Sequence, residues 1–168
     1  INNTFYNSTS NILKHLIVSK FIDVNYKPQN AEQSKLQKVV NDEDYQTIDL
    51  IINHPSFDKE KSNFKDVLYY SIKEKPVIFD TLMQIIKDDI NDYQYKDGDL
   101  YTIALKFKKP SALEALLSHP NFKLLNHDIK EECLNVFNFE VDMSMTIQLL
   151  KSFYKYDRNH DKVIDLNK

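Results

Sequence analysis

The dipeptides His54-Pro55 and His119-Pro120 recur 65 residues apart, and imidazole is the side chain most often used to hold a transition metal. The separation equals two periods of an internal repeat. With packed neighbouring helices about 8–10 Å apart, that sets the two rings roughly 20 Å from each other, too far to share one zinc ion. The expected role of each is to satisfy carbonyls at a helix end. His15, His127 and His160 show no ligand spacing. Cys133 with His127 would be the pair for thiol chemistry, but a nucleophilic thiolate needs an electropositive setting. Cys133 instead stands between Glu131-Glu132 and the apolar Leu134, Val136 and Phe137, as a packed helical cysteine would. The adjacent carboxylates Asp88-Asp89 and Glu131-Glu132 point to different sides of their segments and read as solvated charges, not as an acid–base couple. Gly-rich loops, serine elbows and metal clusters are missing from the sequence, so the expectation is a protein that is not an enzyme, with no catalytic residue and no cofactor.

The segment from Asp157 to Lys168 is similar to an EF-hand loop, with oxygen donors Asp157, Asn159, Asp161 and Asp165 at its first, third, fifth and ninth positions. Lys162 stands where that loop needs glycine, and Lys168 where it needs a bidentate glutamate. Poor calcium affinity follows, and the segment is expected to be a tail or finger, with a calcium-responsive role as the lesser reading.

The 168 residues carry 22 Lys+Arg against 25 Asp+Glu, a net charge of 22 − 25 = −3. Arg158 is the one arginine beside 21 lysines, and no basic excess is available for phosphates, so nucleic acid is not an expected partner. The longest apolar run, Val67 to Tyr70, is four residues, too short to span a bilayer. The first residue is Ile1 and no leader pattern opens the chain, so it reads as a segment of something longer. The sequons at Asn2 and Asn7 are expected to stay unmodified. The lone Cys133 fits a reducing compartment, hence a cytoplasmic protein, or one delivered into a host cytoplasm if part of an effector. The wealth of Asn, Lys, Tyr and Ile looks like the coding bias of an AT-rich genome.

What must position these residues is helical. One glycine, Gly98, is too few for a sandwich, a Rossmann fold or a P-loop. Apolar residues recur at three- and four-residue steps in Ile48, Ile51, Ile52; Phe79, Leu82, Met83, Ile86; Leu113, Leu116, Leu117; and Met145, Leu149, Leu150. The stretch from Ile48 to Phe57 lies over Leu113 to Phe122 without a gap, and the apolar-pair residues Ile17, Ile52, Ile86, Leu117 and Leu150 follow one another at 35, 34, 31 and 33 residues. Each period predicts a first helix (34–41, 64–73, 100–108 and 130–139) and a polar break, at 42–44, 74–76, 109–110 and 140–142. A second helix follows, with Pro76 and Pro110 in its first turn. His54-Pro55 and His119-Pro120 then end that helix.

The period and the ending, an apolar pair, a His-Pro or polar turn, an apolar residue and Asp or Asn, resemble degenerate ankyrin repeats, most plainly from Leu16-Ile17 to Asn25. The resemblance runs from about Asn11 to Asn167. The Thr-Pro-Leu-His signature and the glycine between helices are missing, so helix ends must be satisfied otherwise. It implies an all-α, ankyrin-like α-solenoid of about four helix pairs plus an N-terminal partial repeat. One domain, 1–168, would contain units 1–30, 31–58, 59–91, 92–126 and 127–168. It further implies a monomeric, non-enzymatic interaction module that binds another protein, and neither nucleic acid nor membrane, through its fingers and the exposed side of its first helices. Lys61, Tyr69, Lys73, Tyr93, Tyr95, Asp97, Tyr101, Lys108, His127 and Lys130 are the expected contacts, the tyrosines because they offer large area at low rotamer cost. The alternative is a scaffold segment of a larger enzyme or secreted effector whose chemistry lies elsewhere.

Overall fold

The computed structural model describes residues 2–8, 10–19, 22–86, 90–124 and 143–159, and its architecture is mostly helical. The chain divides into two compact units, Ile1–Ile85 and Ile86–Lys168. In the first, the helices are α1 (Asn2–Asn7), α2 (Ser10–Val18), α3 (Lys35–Asn41), α4 (Tyr45–Ile52), α5 (Phe64–Glu74) and α6 (Pro76–Ile85). At six to eleven residues they are too short to persist alone, so packing holds them. α3 pairs with α4 and α5 with α6; α3 also touches α5, while α4 touches both α2 and α6. Two helical layers result. Their shared core is made by Leu36, Val39 and Val40 of α3, Ile48 and Ile51 of α4, Val67, Leu68 and Ile72 of α5, and Ile78, Phe79 and Leu82 of α6, all buried. Each such side chain contributes about 1.5–3 kcal/mol by leaving water.

The helix starts follow from their caps. The Ser34 hydroxyl accepts the Gln37 N–H at 3.1 Å, and the Asp44 carboxylate accepts the Thr47 N–H at 3.1 Å and its hydroxyl at 2.6 Å. The helix ends explain how this protein does without glycine between its helices. Glu43 adopts φ 57°, its N–H donates to Val40 O at 3.2 Å, and the Asp44 N–H donates to Val39 O at 3.1 Å. This is the Schellman pattern on a non-glycine residue. The end of α1 is closed from a distance: buried Lys35 donates its ammonium to Tyr6 O at 3.3 Å and Ser8 O at 2.9 Å, and desolvation pushes its pKa below the ordinary lysine value.

The second unit contains a 3₁₀ turn (Ile90–Asp92), an antiparallel hairpin of β1 (Gln94–Tyr95) and β2 (Gly98–Asp99), then α7 (Leu100–Lys106), α8 (Pro110–Ser118) and α9 (Met143–Asn159). α8 packs between α7 and α9. Pro110 opens α8 as its sequence position predicts. Gly98 sits at φ 111°, and a Cβ there would meet the Thr102 side chain at 2.8 Å, so this hairpin requires the residue. Asp99 then caps α7 through the Thr102 N–H at 2.9 Å and hydroxyl at 2.8 Å. The expected first helix of 100–108 stops at Lys106 because Lys108 turns left-handed, φ 52°, and Lys109 N–H reaches back to Ala104 O at 3.0 Å.

Two expectations are corrected here. Tyr101, expected as a surface contact, is fully buried, its ring 6.1 Å from Phe122. Leu150, expected to share the buried stripe of Met145 and Leu149, faces outward and is 61% exposed, because the buried face of α9 turns through Gln148 and Ser152 instead. The expected helix 130–139, the break 140–142, Cys133, His127 and Lys130 lie outside the described residues. Among the described residues no helix is long and apolar enough to cross a membrane.

Candidate functional site

In the first unit, the N-terminal ends of α3 and α5 and the segment leading into α3 enclose a cleft of about 250 Å³. Glu32, Gln33, Ser34 and Gln37 form one side, and Asn63, Asp66, Val67 and Tyr70 the other. The first side is held by a chain of hydrogen bonds. Tyr6 Oη donates to Gln33 O at 2.9 Å, Lys27 Nζ to Glu32 O at 2.9 Å, Gln37 Nε2 to Asn41 Oδ1 at 3.0 Å, and Asn41 Nδ2 to Gln33 Oε1 at 3.3 Å. The second side is set by Asn63, left-handed at φ 51°, which turns the chain into α5 without capping it by its side chain. Phe64, the first residue of α5, anchors that turn: it is buried, edge-on to Phe57 at 5.8 Å, and its N–H reaches Lys59 O at 2.9 Å.

The cleft offers two exposed carboxylates, Glu32 and Asp66, together with amides, a phenol and the buried Val67. It is smaller than the 300–1,000 Å³ usual for cofactors and drug-sized ligands. Such a lining suits a few side chains of a polypeptide rich in N–H donors or cations. Among the described residues no three His, Cys, Asp or Glu side chains converge as a metal site would require. Of the calcium-loop candidates, Asp157 and Asn159 belong to the last turn of α9, their side chains outside the described residues, as are Asp161 and Asp165 entirely.

Among the described residues, none of the expected contacts lines this cleft. Lys61 is exposed and ion-paired with Asp58 at 3.5 Å; Lys73 is exposed beside Glu74 at 3.4 Å. Tyr69 is half-buried, and its successor Tyr70, a turn of about 100° away on α5, is the one that reaches the cleft. In the second unit Tyr93 and Tyr95 are half-buried at the hairpin, Asp97 pairs with Lys106 at 2.7 Å, and Lys108 is exposed at the end of α7. The cleft residues left a signal in Ser34-Lys35-Leu36-Gln37, a capping-box spacing that marks the start of α3.

The repeated histidines act differently from the expectation. Each Nδ1 accepts the backbone N–H two residues on, from Ser56 and from Asn121, both at 3.2 Å, and so builds the turn after the helix. That leaves Nε2 as the donor in the second unit, where His119 reaches Ile86 O at 3.1 Å, 33 residues back. Two asparagines that sequence reading did not single out do parallel work. Asn25 donates to Ser56 O at 2.5 Å and accepts from Asp58 N–H at 2.8 Å and Ser62 Oγ at 2.7 Å. Asn91 donates to Asn121 O and accepts from Lys123 N–H, both at 2.8 Å. No protein-family model, curated protein or solved structure matches this chain.

Proposed function

We propose that the chain is an ankyrin-like helical-repeat module without catalytic activity that binds another protein, and that the cleft between the starts of α3 and α5 is where the first unit grips it. The observation that carries this reading is the cleft itself: a polar, carboxylate-bearing recess on a side formed by first helices and the segments leading into them. The repeat character draws support from the layered contacts of α2, α4 and α6, and from asparagine bonds that span about one period. Glu32 and Asp66 favour a partner segment that presents lysine, arginine or backbone N–H groups, and Tyr70 supplies the kind of aromatic area that dominates binding energy.

The test is selection of binders from a random peptide library on the purified chain, followed by affinity measurements on Asp66→Lys and Tyr70→Ala. Selected peptides enriched in basic residues, losing about tenfold or more in affinity with either variant while the unfolding midpoint holds, support the reading. Binders indifferent to both substitutions would place the binding surface elsewhere.

A further inference from the structure

α9 carries a second surface of a different kind. Met143 is 80% exposed, Ile147 44%, Leu150 61% and Tyr154 60%, and they follow one another at steps of four, three and four residues. Those steps place all four on one side of the helix, opposite the buried Met145, Gln148, Leu149 and Ser152. They are also the spacing of a coiled-coil seam. The sister helices treat the same position as solvent-facing: counted from the aligned Ile51, Leu116 and Leu149, the place of Ile147 is taken by exposed Asp49 in α4 and exposed Glu114 in α8. A stripe of this extent on a helix of about 25 Å calls for an occupant.

We infer that the occupant is a second copy of this chain, paired through α9 across a two-fold axis. The four-three-four spacing reads the same in both directions, so an antiparallel copy is its own complement, with Ile147 facing Leu150 of the second copy and Met143 facing Tyr154. In this register residues 143–154 of the two copies overlap; their one charge, Lys151, is ion-paired with Glu114 at 2.7 Å and falls level with Thr146 of the second copy, so no like charges face each other. A seam of four side chains per copy falls below the standard interface of about 1,200–2,000 Å², which makes the dimer a weak one. Such a dimer departs from the monomer expected from the sequence.

Sedimentation velocity between ~10 µM and ~1 mM reads the pairing directly. The expected result is a concentration-dependent shift from monomer to dimer that Ile147→Lys and Leu150→Lys each abolish, with unchanged circular dichroism. On a Cys133→Ser background, Met143→Cys chains mixed with Tyr154→Cys chains should form the mixed disulfide in preference to either like pair. A wild-type chain that stays monomeric throughout, an association that both lysine variants retain, or preferential like-pair cross-linking overturns the proposal; the first result would assign the stripe to a different partner.

Discussion

The side-chain oxygen of Asn25 accepts the backbone N–H of Asp58, 33 residues later, at 2.8 Å. The same oxygen takes the Ser62 hydroxyl, and the amide nitrogen donates to Ser56 O, so one buried side chain holds three points of the following turn. Cutting it takes a partner from the Ser56 carbonyl, the Asp58 N–H and the buried Ser62 hydroxyl. Asn25→Ala should therefore cost about 1–3 kcal/mol, the range for leaving a buried polar group unsatisfied. Asn25→Asp keeps the acceptor but sets a carboxylate against the Asp23 carboxylate and the Ser56 carbonyl, which the Asn25 amide nitrogen meets at 3.0 and 2.5 Å, and should cost at least as much. Urea denaturation of the two variants checks this, and an Asn25→Asp variant as stable as the wild type would show that the bonds donated to Ser56 O and Asp23 contribute nothing.

Lys108 is held at φ 52° by the Schellman bonds that close α7, and a side chain in that region costs roughly 1 kcal/mol relative to glycine. Lys108→Gly should raise stability by up to ~1 kcal/mol, less the added freedom of the unfolded chain. Glu43→Gly, at the matching place after α3, should gain less because Glu43 also pairs with Lys75. A melting temperature that falls for Lys108→Gly would show that its side chain contributes more than its backbone strain costs.

Sequence periodicity made α2 to α8 legible, since Ile48, Ile51, Leu113 and Leu116 announce their stripes and the prolines and His-Pro pairs mark the ends, whereas α1, six residues long, carries no repeat of its own to read. The hairpin escaped because Gln94-Tyr95 and Gly98-Asp99 are two residues each, below any period that a pattern can reveal. The cleft escaped for another reason. Its lining comes from two segments some 30 residues apart, and which of Tyr69 and Tyr70 enters it depends on the rotation of α5, set by the buried Phe64, Val67, Leu68 and Ile72. The asparagine bonds are likewise long-range, although Asn25 and Asn91 end segments whose Asp-or-Asn endings were visible in the sequence.

Tyr101 and Tyr95 are both expected contact residues, and the fold separates them. Tyr101→Ala removes a fully buried ring packed on Phe122 and should cost about 3–5 kcal/mol. Tyr95 lies half-buried on a two-residue strand, and Tyr95→Ala should stay near 1 kcal/mol. Thermal unfolding of both variants decides the matter; similar shifts would mean that the hairpin is as firmly part of the core as α7.

Two groups of side chains give stability a definite pH dependence. Burial lowers the pKa of Lys35, with the neighbouring Lys38 charge adding to it, so in the window below 10.5 the unfolded chain binds more protons than the folded one. Stability then rises with pH through that window. At the acid end, backbone N–H donation from Lys61 lowers the Asp58 carboxyl and the Lys151 ammonium at 2.7 Å lowers Glu114. Their contributions are present above the ordinary carboxyl values and are lost as pH falls through the lowered ones. Lys35→Met isolates the first effect. The stability of the wild type minus that of Lys35→Met should climb between neutral pH and pH ~10. A difference that stays flat or falls over that range would mean that the bonds from Lys35 to Tyr6 O and Ser8 O favour the charged ammonium enough to cancel its desolvation.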